Sequence, residues 1–332
     1  MHKKAHFYVN YKNMTVLKFY LEIIKKSLTD IGFECDDVLS LEAIDKKDLI
    51  VFPMGKDAFK FYLKGFKNFI IWQQGVTAEE SFMRNHSKLR FNILNFMDCF
   101  TMKKAKMIFF CSDYMKNHYE NLSKISFNEK SCIMPCFNTV IDEKSFDADG
   151  KYKNNVFAYV GSLSQWQCFS QTVDFYKVLE NEVNNAELRV FTSEHEEAEK
   201  ILKEKNIKNY SVSFVSPEKL SKALYPVKFG FVLRDDIEVN RVATPTKLSS
   251  YMASGVIPVF SDCLCDFKSI SEDMKFVVAV KDKKITGKLI NLLKEEIDSK
   301  EIKSEYSHVF KTYYNPEYYI NEIKKISNKV FA

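Results

Sequence analysis

KFGFVLRDDIEVNRVATPTKLSSYMASGVIPVFSD, residues 228–262, is the stretch whose reading decides the fold. Residues 229–233 form an apolar run of strand length, and 257–260 form a second. Between them, 234–244 is polar and carries charges of both signs. Thr244-Pro245 then reads as a helix start, with Thr244 as N-cap and Pro245 in the first turn, where a missing N–H costs nothing. Residues 249–253 continue the helix and Gly255 suits its C-terminal cap. In α/β folds, a loop from a strand's carboxyl end to a helix's amino end is a favoured place for phosphorylated ligands. Arg234 and Lys247 flank that helix start and are candidates for a diphosphate clamp. An isolated Arg234 beside Asp235 and Asp236 reads as an ordinary surface pair. Lys247 is more informative, because a cation in a first helical turn opposes the helix dipole and gains from an anionic partner.

The same alternation extends in both directions. In the second half, a strand over 156–160 leads into Gly161-Ser162, where a glycine lets backbone approach a phosphate closely. Helices follow at 165–183, 196–205 and 217–224, strands at 187–191 and 211–215, a last strand at 276–280, and amphipathic helices at 283–300 and 318–329. In the first half the strands are 5–10, 48–52, 68–72, 107–111 and 131–134. Helices are expected over 16–31, over 77 to about 104 with a capping-box spacing from Thr77 to Glu80, and over 114–122 capped by Ser112. Strands alternating with helices predict βαβ units and mostly parallel sheets. The expected division is a Rossmann-like domain over 1–140, a polar linker over 141–154, a second Rossmann-like domain over 155–312, and a C-terminal helix over 313–332 that packs back on the first domain.

Composition narrows the class. A chain of 332 residues with 46% hydrophobic and 28% charged residues is globular. A net charge of +5 is modest for this length and argues against a dedicated nucleic-acid binder, which would carry a denser basic face. None of the eight cysteines forms a CxxC, and no pair has histidines at zinc spacing, so reduced thiols and a cytoplasmic setting are expected. The N-terminus lacks the apolar core of a signal peptide, and no apolar run reaches the ~18–20 residues that span a bilayer. Segment 56–106 carries ten Lys and Arg against Asp57, Glu79, Glu80 and Asp98. It reads as a solvated basic face, with peripheral contact to the inner face of a membrane as the functional alternative.

The motifs GSLSQWQ (161–167) and LRDDIEVNRVATPTKLSSYMASGVIPVFSD (233–262) resemble the nucleotide-sugar half of GT-B glycosyltransferases. They are most similar to the group-1, or family 4, branch that builds bacterial surface polysaccharides. The pattern N-x-x-x-x-P-x-K-x-x-x-Y-x-A-x-G-x-x-P runs here from Asn240 to Pro258. Over the first half the likeness is limited to WQQGVTAEE (72–80), FFCSDYMKNHY (109–119) and MPCFN (134–138). The resemblance implies two Rossmann-like α/β/α domains with a cleft between them. It implies a nucleotide-diphosphate sugar as donor on the second domain, a glycan or lipid-linked acceptor on the first, no cofactor and no metal. Carried across by position, Arg234 and Lys247 would neutralise the diphosphate, with Gly161 and Ser162 against the phosphates. Thr246 would contact them at the helix start. Ser193 and Val215, Ser216, Pro217 and Glu218 would line the base and ribose, with Asn240, Thr244 and Ser250 also on the donor side. Gln74, Gly75, Glu79 and Glu80 are the acceptor-side candidates. The chain departs from the family at Val242 and Ser250, where glutamates are common, and in the loop after Gly161, where a lysine is replaced by Ser164-Gln165-Trp166-Gln167.

The expected activity is retaining, metal-independent glycosyl transfer. Charge growing on the leaving phosphates would be met by fixed cations and helix N–H groups. Two alternatives stand beside it: a catalytically silent scaffold that binds a nucleotide or a partner glycosyltransferase, motivated by Ser250, and nucleotide-sugar epimerisation or hydrolysis, which would need carboxylates and histidine that the pattern does not supply. Asp147-Ala148-Asp149-Gly150 mimics a metal motif but has Ala158 at the calcium loop's twelfth position. The absence of GxGxxG argues against a nicotinamide dehydrogenase. His118 reads as a helix-surface histidine.

Overall fold

The computed structural model describes residues 3–10 and 14–331. The chain forms two compact units, Met1–Asn138 with Asn315–Ala332, and Thr139–Tyr314. The first unit is built on a parallel sheet of β1 (Lys3–Tyr8), β2 (Phe33–Val38), β3 (Leu49–Phe52), β4 (Phe69–Gln73), β5 (Met107–Phe110) and β6 (Ser131–Ile133), in the order β2-β1-β3-β4-β5-β6. Its helices are α1 (Met14–Asp30), α2 (Gly55–Leu63), α3 (Thr77–Asn85), α4 (Lys88–Lys104) and α5 (Asp113–Ser123). The sequences LIVF, FIIWQ and MIFF of β3, β4 and β5 are buried throughout. Continuous apolar runs suit strands covered on both faces. FECDDV of β2 lacks that signature because it is an edge strand, half open to water. The sequence pattern did not identify it.

The second unit repeats the scheme. β7 (Val156–Val160), α6 (Phe169–Glu182), β8 (Glu187–Phe191), α7 (His195–Glu204), β9 (Tyr210–Ser213), α8 (Pro217–Ala223) and β10 (Phe229–Val232) come first. A short α9 (Glu238–Arg241) then interrupts the expected polar loop, followed by α10 (Thr246–Ala253), β11 (Ile257–Ser261), α11 (Cys265–Ile270), β12 (Val278–Val280), α12 (Gly287–Lys294) and α13 (Ser299–Thr312). All its strands are parallel, in the order β12-β11-β10-β7-β8-β9. The final helix α14 (Pro316–Phe331) belongs to the first unit. Lys26 reaches Glu317 at 2.8 Å, Lys324 reaches Asp30 at 3.1 Å, and Tyr319 packs on Phe137.

Several local expectations change. The helix expected over 77–104 is two helices, because His86 takes a left-handed conformation (φ +50°) and Ser87 caps α4 by accepting from Arg90 N at 3.3 Å. The Thr77–Glu80 capping box does not form: Val76 holds the N-cap position without a side-chain bond. In α10 the N-cap is Pro245, extended at ψ 125°, one residue later than expected. The helix expected over 283–300 splits into α12 and the start of α13. The stretch 141–154, expected as a linker, is tied to the second unit. Asp142 N donates to Ala253 O at 2.8 Å, and buried Lys151 donates to the carbonyls of Leu224, Tyr225 and Ser254 at 3.0, 3.2 and 2.8 Å.

Gly230 in β10 fixes how α10 sits on the sheet. The ring of buried Tyr251 lies where a side chain at 230 would be, and a Cβ there would approach the ring to 2.6 Å. Overpacking of this kind costs about 1–3 kcal/mol. Gly230→Ala is therefore expected to lower stability by about that amount in urea unfolding, whereas a variant as stable as the parent would show that this contact does not seat α10.

Candidate functional site

The strand order of the second unit reverses between β7 and β10, which lie side by side at the centre of the sheet. The carboxyl ends of such strands flank the topological switch point, where open α/β sheets bind ligands. Gly161 follows β7 directly, and Arg234 follows β10. Gly161 has φ +125°, a left-handed conformation that favours glycine. A Cβ there would also lie 2.7 Å from Cε and 2.8 Å from Nζ of Lys247, which rises from the first turn of α10. The Lys247 ammonium sits 4.7 Å from the Tyr159 ring centroid and donates to Gln167 Oε1 at 2.6 Å.

Arg234 converges on the same residue. Only 4% exposed, it donates through Nη1 to Gln167 O at 2.7 Å and to Leu233 O at 3.0 Å, and through Nη2 to Gln167 Oε1. Its backbone N–H is held by Ser261 Oγ at 2.8 Å. Two cations thus share one neutral oxygen. Among the described residues neither forms an ion pair with a carboxylate, and the neighbouring Asp235 is taken by Lys283. Burial, and then the charge of Arg234, pushes Lys247 well below its ordinary value. Burial also lowers Arg234, which stays protonated as a guanidinium. Two positive groups around a neutral acceptor form a receptor for an anion that offers several oxygens.

The remaining donor-side candidates occupy the same carboxyl edge or its helices. The Ser162 carbonyl accepts from Tyr159 Oη at 2.7 Å, and the next residue's N–H is held by the Glu194 carboxylate at 2.8 Å. Ser193 is exposed just beyond β8. Val215 and Ser216 are half-buried after β9, and Pro217 and Glu218 open α8 in the open. Asn240 is buried and donates to Asp235 O at 3.0 Å, and Thr244 is buried. Thr246 is half-buried at the start of α10, and its carbonyl accepts from Ser250 Oγ at 3.1 Å. The Ser250 hydroxyl is therefore turned back on its own helix.

The acceptor-side candidates surround a polar network inside the first unit. Gln74 Nε2 donates to Pro53 O at 2.8 Å. Gly75 O accepts from Gln73 Nε2 at 2.7 Å, and a side chain at 75 would collide with the Glu80 carboxylate. Gln73 Nε2 also donates to Tyr119 Oη at 2.9 Å, and that hydroxyl lies 3.1 Å from Oδ2 of buried Asp98. Glu79 pairs with His118 at 3.2 Å. Both side chains are largely enclosed, which corrects the surface reading of His118. Burial raises Glu80, opposed by Arg84 and reinforced by Glu79. Burial also lifts Asp98 to about 7, the charges of Glu79 and Glu80 adding to it while a Tyr119 hydrogen bond opposes it.

No family model and no curated protein matches the sequence. Solved structures do match. The chain is similar to sucrose-phosphate synthase from Thermosynechococcus elongatus (TM-score 0.70, 11% identity, covering 100% of this chain and 99% of that one). It is also similar to Anabaena HepE, solved with UDP and glucose (TM-score 0.69, 10% identity, 99% and 100%). A third match is S. aureus TarM, solved with UDP among its ligands (TM-score 0.66, 12% identity, covering 88% of this chain). The chain spans 57% of the length of TarM. The chain has the GT-B fold. In GT-B terms, the cation pair lies on the C-terminal Rossmann-like unit and the Asp98 network on the N-terminal one.

Two parts of these arrangements escaped the sequence reading. Gln167 stands in the loop where the GT-B resemblance departs from its family, and that departure was the available signal. In the sequence Asp98 is one acid in a basic segment, whereas in the structure it shares a buried helix face with Thr101 and Met102. With a folded value near 7 against an ordinary 3.8, Asp98 keeps its proton between those pH values while the unfolded chain loses it. Its stabilising contribution is complete below about pH 4 and is lost as pH rises through about 7, reaching about 4 kcal/mol. Asp98→Asn is expected to remove that decline, so that stability relative to the parent rises by a few kcal/mol between acid and neutral pH in urea titrations. Parallel pH profiles for the two proteins would refute the buried, protonated acid.

Proposed function

We propose that this chain is a glycosyltransferase that moves a sugar from a nucleotide-diphosphate sugar to a glycan or lipid-linked acceptor. The setting we propose is bacterial surface-polysaccharide assembly, with retention of configuration and no metal. The observation that carries the reading is the meeting of Arg234 and Lys247 on the neutral Gln167 Oε1 at the switch point of a Rossmann-like sheet. Likeness of fold to proteins solved with UDP supports it.

In this reading the donor's diphosphate replaces Gln167 Oε1 between the cations. As the anomeric C–O bond breaks, negative charge accumulates on the leaving phosphate oxygen. Arg234 and Lys247 are already aimed at that position, so little reorganisation opposes the charge. For retention, the departing phosphate oxygen accepts the acceptor hydroxyl's proton. Gly161 brings backbone close to the phosphates, and Ser162 and Thr246 add polar contacts. Ser193 and Val215–Glu218 sit at the next strand ends, where base and ribose would lie. Ser250 and Asn240 support the local backbone. Gln74, Gly75, Glu79 and Glu80 present the acceptor.

A thermal-shift screen against UDP-, GDP-, ADP- and CMP-sugars tests donor binding, because a ligand of the folded state raises the melting temperature. No shift with any of them would end the proposal. A shift without transfer or hydrolysis would favour a silent nucleotide-binding scaffold. Arg234→Ala and Lys247→Ala are each expected to weaken donor binding and turnover by more than about 1 kcal/mol, the scale of a charge-assisted contact. Gln167→Glu should weaken the donor by a similar margin, since an internal carboxylate would compete for both cations. Because Lys247 must be charged to hold the diphosphate and burial lowers its value, donor binding is expected to weaken as pH rises. Titration calorimetry at rising pH reads that weakening, and an affinity independent of pH would contradict it.

A further inference from the structure

Helix α4 is turned against its own sequence. Its inward face carries Asp98, Thr101 and Met102, all buried. Leu89, Ile93 and Phe96, spaced i, i+4 and i+7, face outward and are 73%, 50% and 64% exposed. A surface helix ordinarily buries such a stripe. The apolar surface continues beyond the helix. Phe96 packs on Phe100 at 6.1 Å, and Phe100 packs on Tyr62 of α2 at 5.2 Å. Phe96 and Phe100 also line a cavity of about 440 Å³ with Leu122, which is 42% exposed, and Ile125.

The charges around this stripe are segregated by burial. All ten Lys and Arg of segment 56–106 are exposed, whereas all four acids of the segment are at least half-buried. Lys88 and Arg90 flank Leu89, Lys103 lines the cavity beside Phe96, and Lys67 stacks 3.3 Å from the Tyr62 ring centroid. An exposed apolar ridge bordered by cations with long aliphatic stems suits contact with a membrane interface, the stems lying along the apolar surface and the charges at the headgroups. A two-fold contact with a second copy would set these cations against their own kind. An anionic lipid surface complements them.

We propose that the α2–α4 face of the first unit docks on an anionic lipid bilayer, with Leu89, Ile93 and Phe96 below the headgroups and the flanking Lys and Arg at the phosphates. This surface lies wholly in the first unit and stands independently of the donor site, whose residues are all in the second.

The test is cosedimentation of the full chain with vesicles of phosphatidylglycerol and with vesicles of neutral phosphatidylcholine. Binding to the anionic vesicles, at least about tenfold weaker on the neutral ones and released by salt, is expected. Combining Leu89→Ser, Ile93→Ser and Phe96→Ser should lower partitioning by about tenfold or more. Lys88→Glu with Arg90→Glu should do the same. An unchanged melting temperature shows that the variants are folded, and this readout does not depend on whether any nucleotide sugar binds. Absence of vesicle binding, equal binding to both lipids, or a dimer of the parent that the apolar variant dissociates would each overturn the proposal.

Discussion

Two like charges held on one neutral oxygen form an unfavourable arrangement unless something holds them there. Arg234 is fixed by two backbone carbonyls and by Ser261, and Lys247 by the seating of α10. That seating rests in turn on two glycines. Gly230 admits the Tyr251 ring against the sheet, and Gly161 leaves room for the Lys247 stem. The repulsion between the cations is therefore borne by the fold rather than relieved by a neighbouring acid. A site of this kind is preorganised: its dipoles and charges are in place before a ligand arrives, so a bound anion gains their full effect.

The same economy of neutral partners recurs in the first unit with the sign reversed. Asp98 is held by the Tyr119 hydroxyl and lies against the backbone at Gly55, and among the described residues no cation pairs with it. Burial instead lifts its carboxyl to about 7, far above the ordinary carboxylate range. The Gly75 carbonyl is tied into that network through Gln73 and Tyr119, so the turn after β4 is held by hydrogen bonds that reach back to the buried Asp98 carboxyl. One unit holds uncompensated positive charge at its strand ends, and the other buries a carboxyl whose affinity for its proton is raised.

The strands with continuous apolar runs, such as FIIWQ of β4 and MIFF of β5, were legible because a doubly covered parallel strand must be apolar on both faces. β2 was not, because its exposed edge lets FECDDV look like a loop. The break between α3 and α4 was missed for a related reason. Helical periodicity runs through Asn85–Ser87 without a glycine or proline, and only the left-handed turn at His86 shows where the chain changes direction. In the candidate site, Arg234, Lys247 and Gly161 could be read from their positions relative to strands and helix starts. Gln167 could not, because an amide in a polar loop has no pattern of its own.

By itself the sequence determined the alternation of strands and helices, the parallel class of both sheets and the cations and glycine at strand ends, because each follows from local periodicity and backbone chemistry. Only the tertiary structure decided that β7 and β10 lie side by side. That pairing, between residues some seventy positions apart, brings Arg234, Lys247 and Gln167 to one oxygen. It also decided that Asp98 faces inward while Leu89, Ile93 and Phe96 face water. Which side of a helix is buried depends on what packs against it, and a helix with apolar residues on more than one face does not carry that choice in its own sequence.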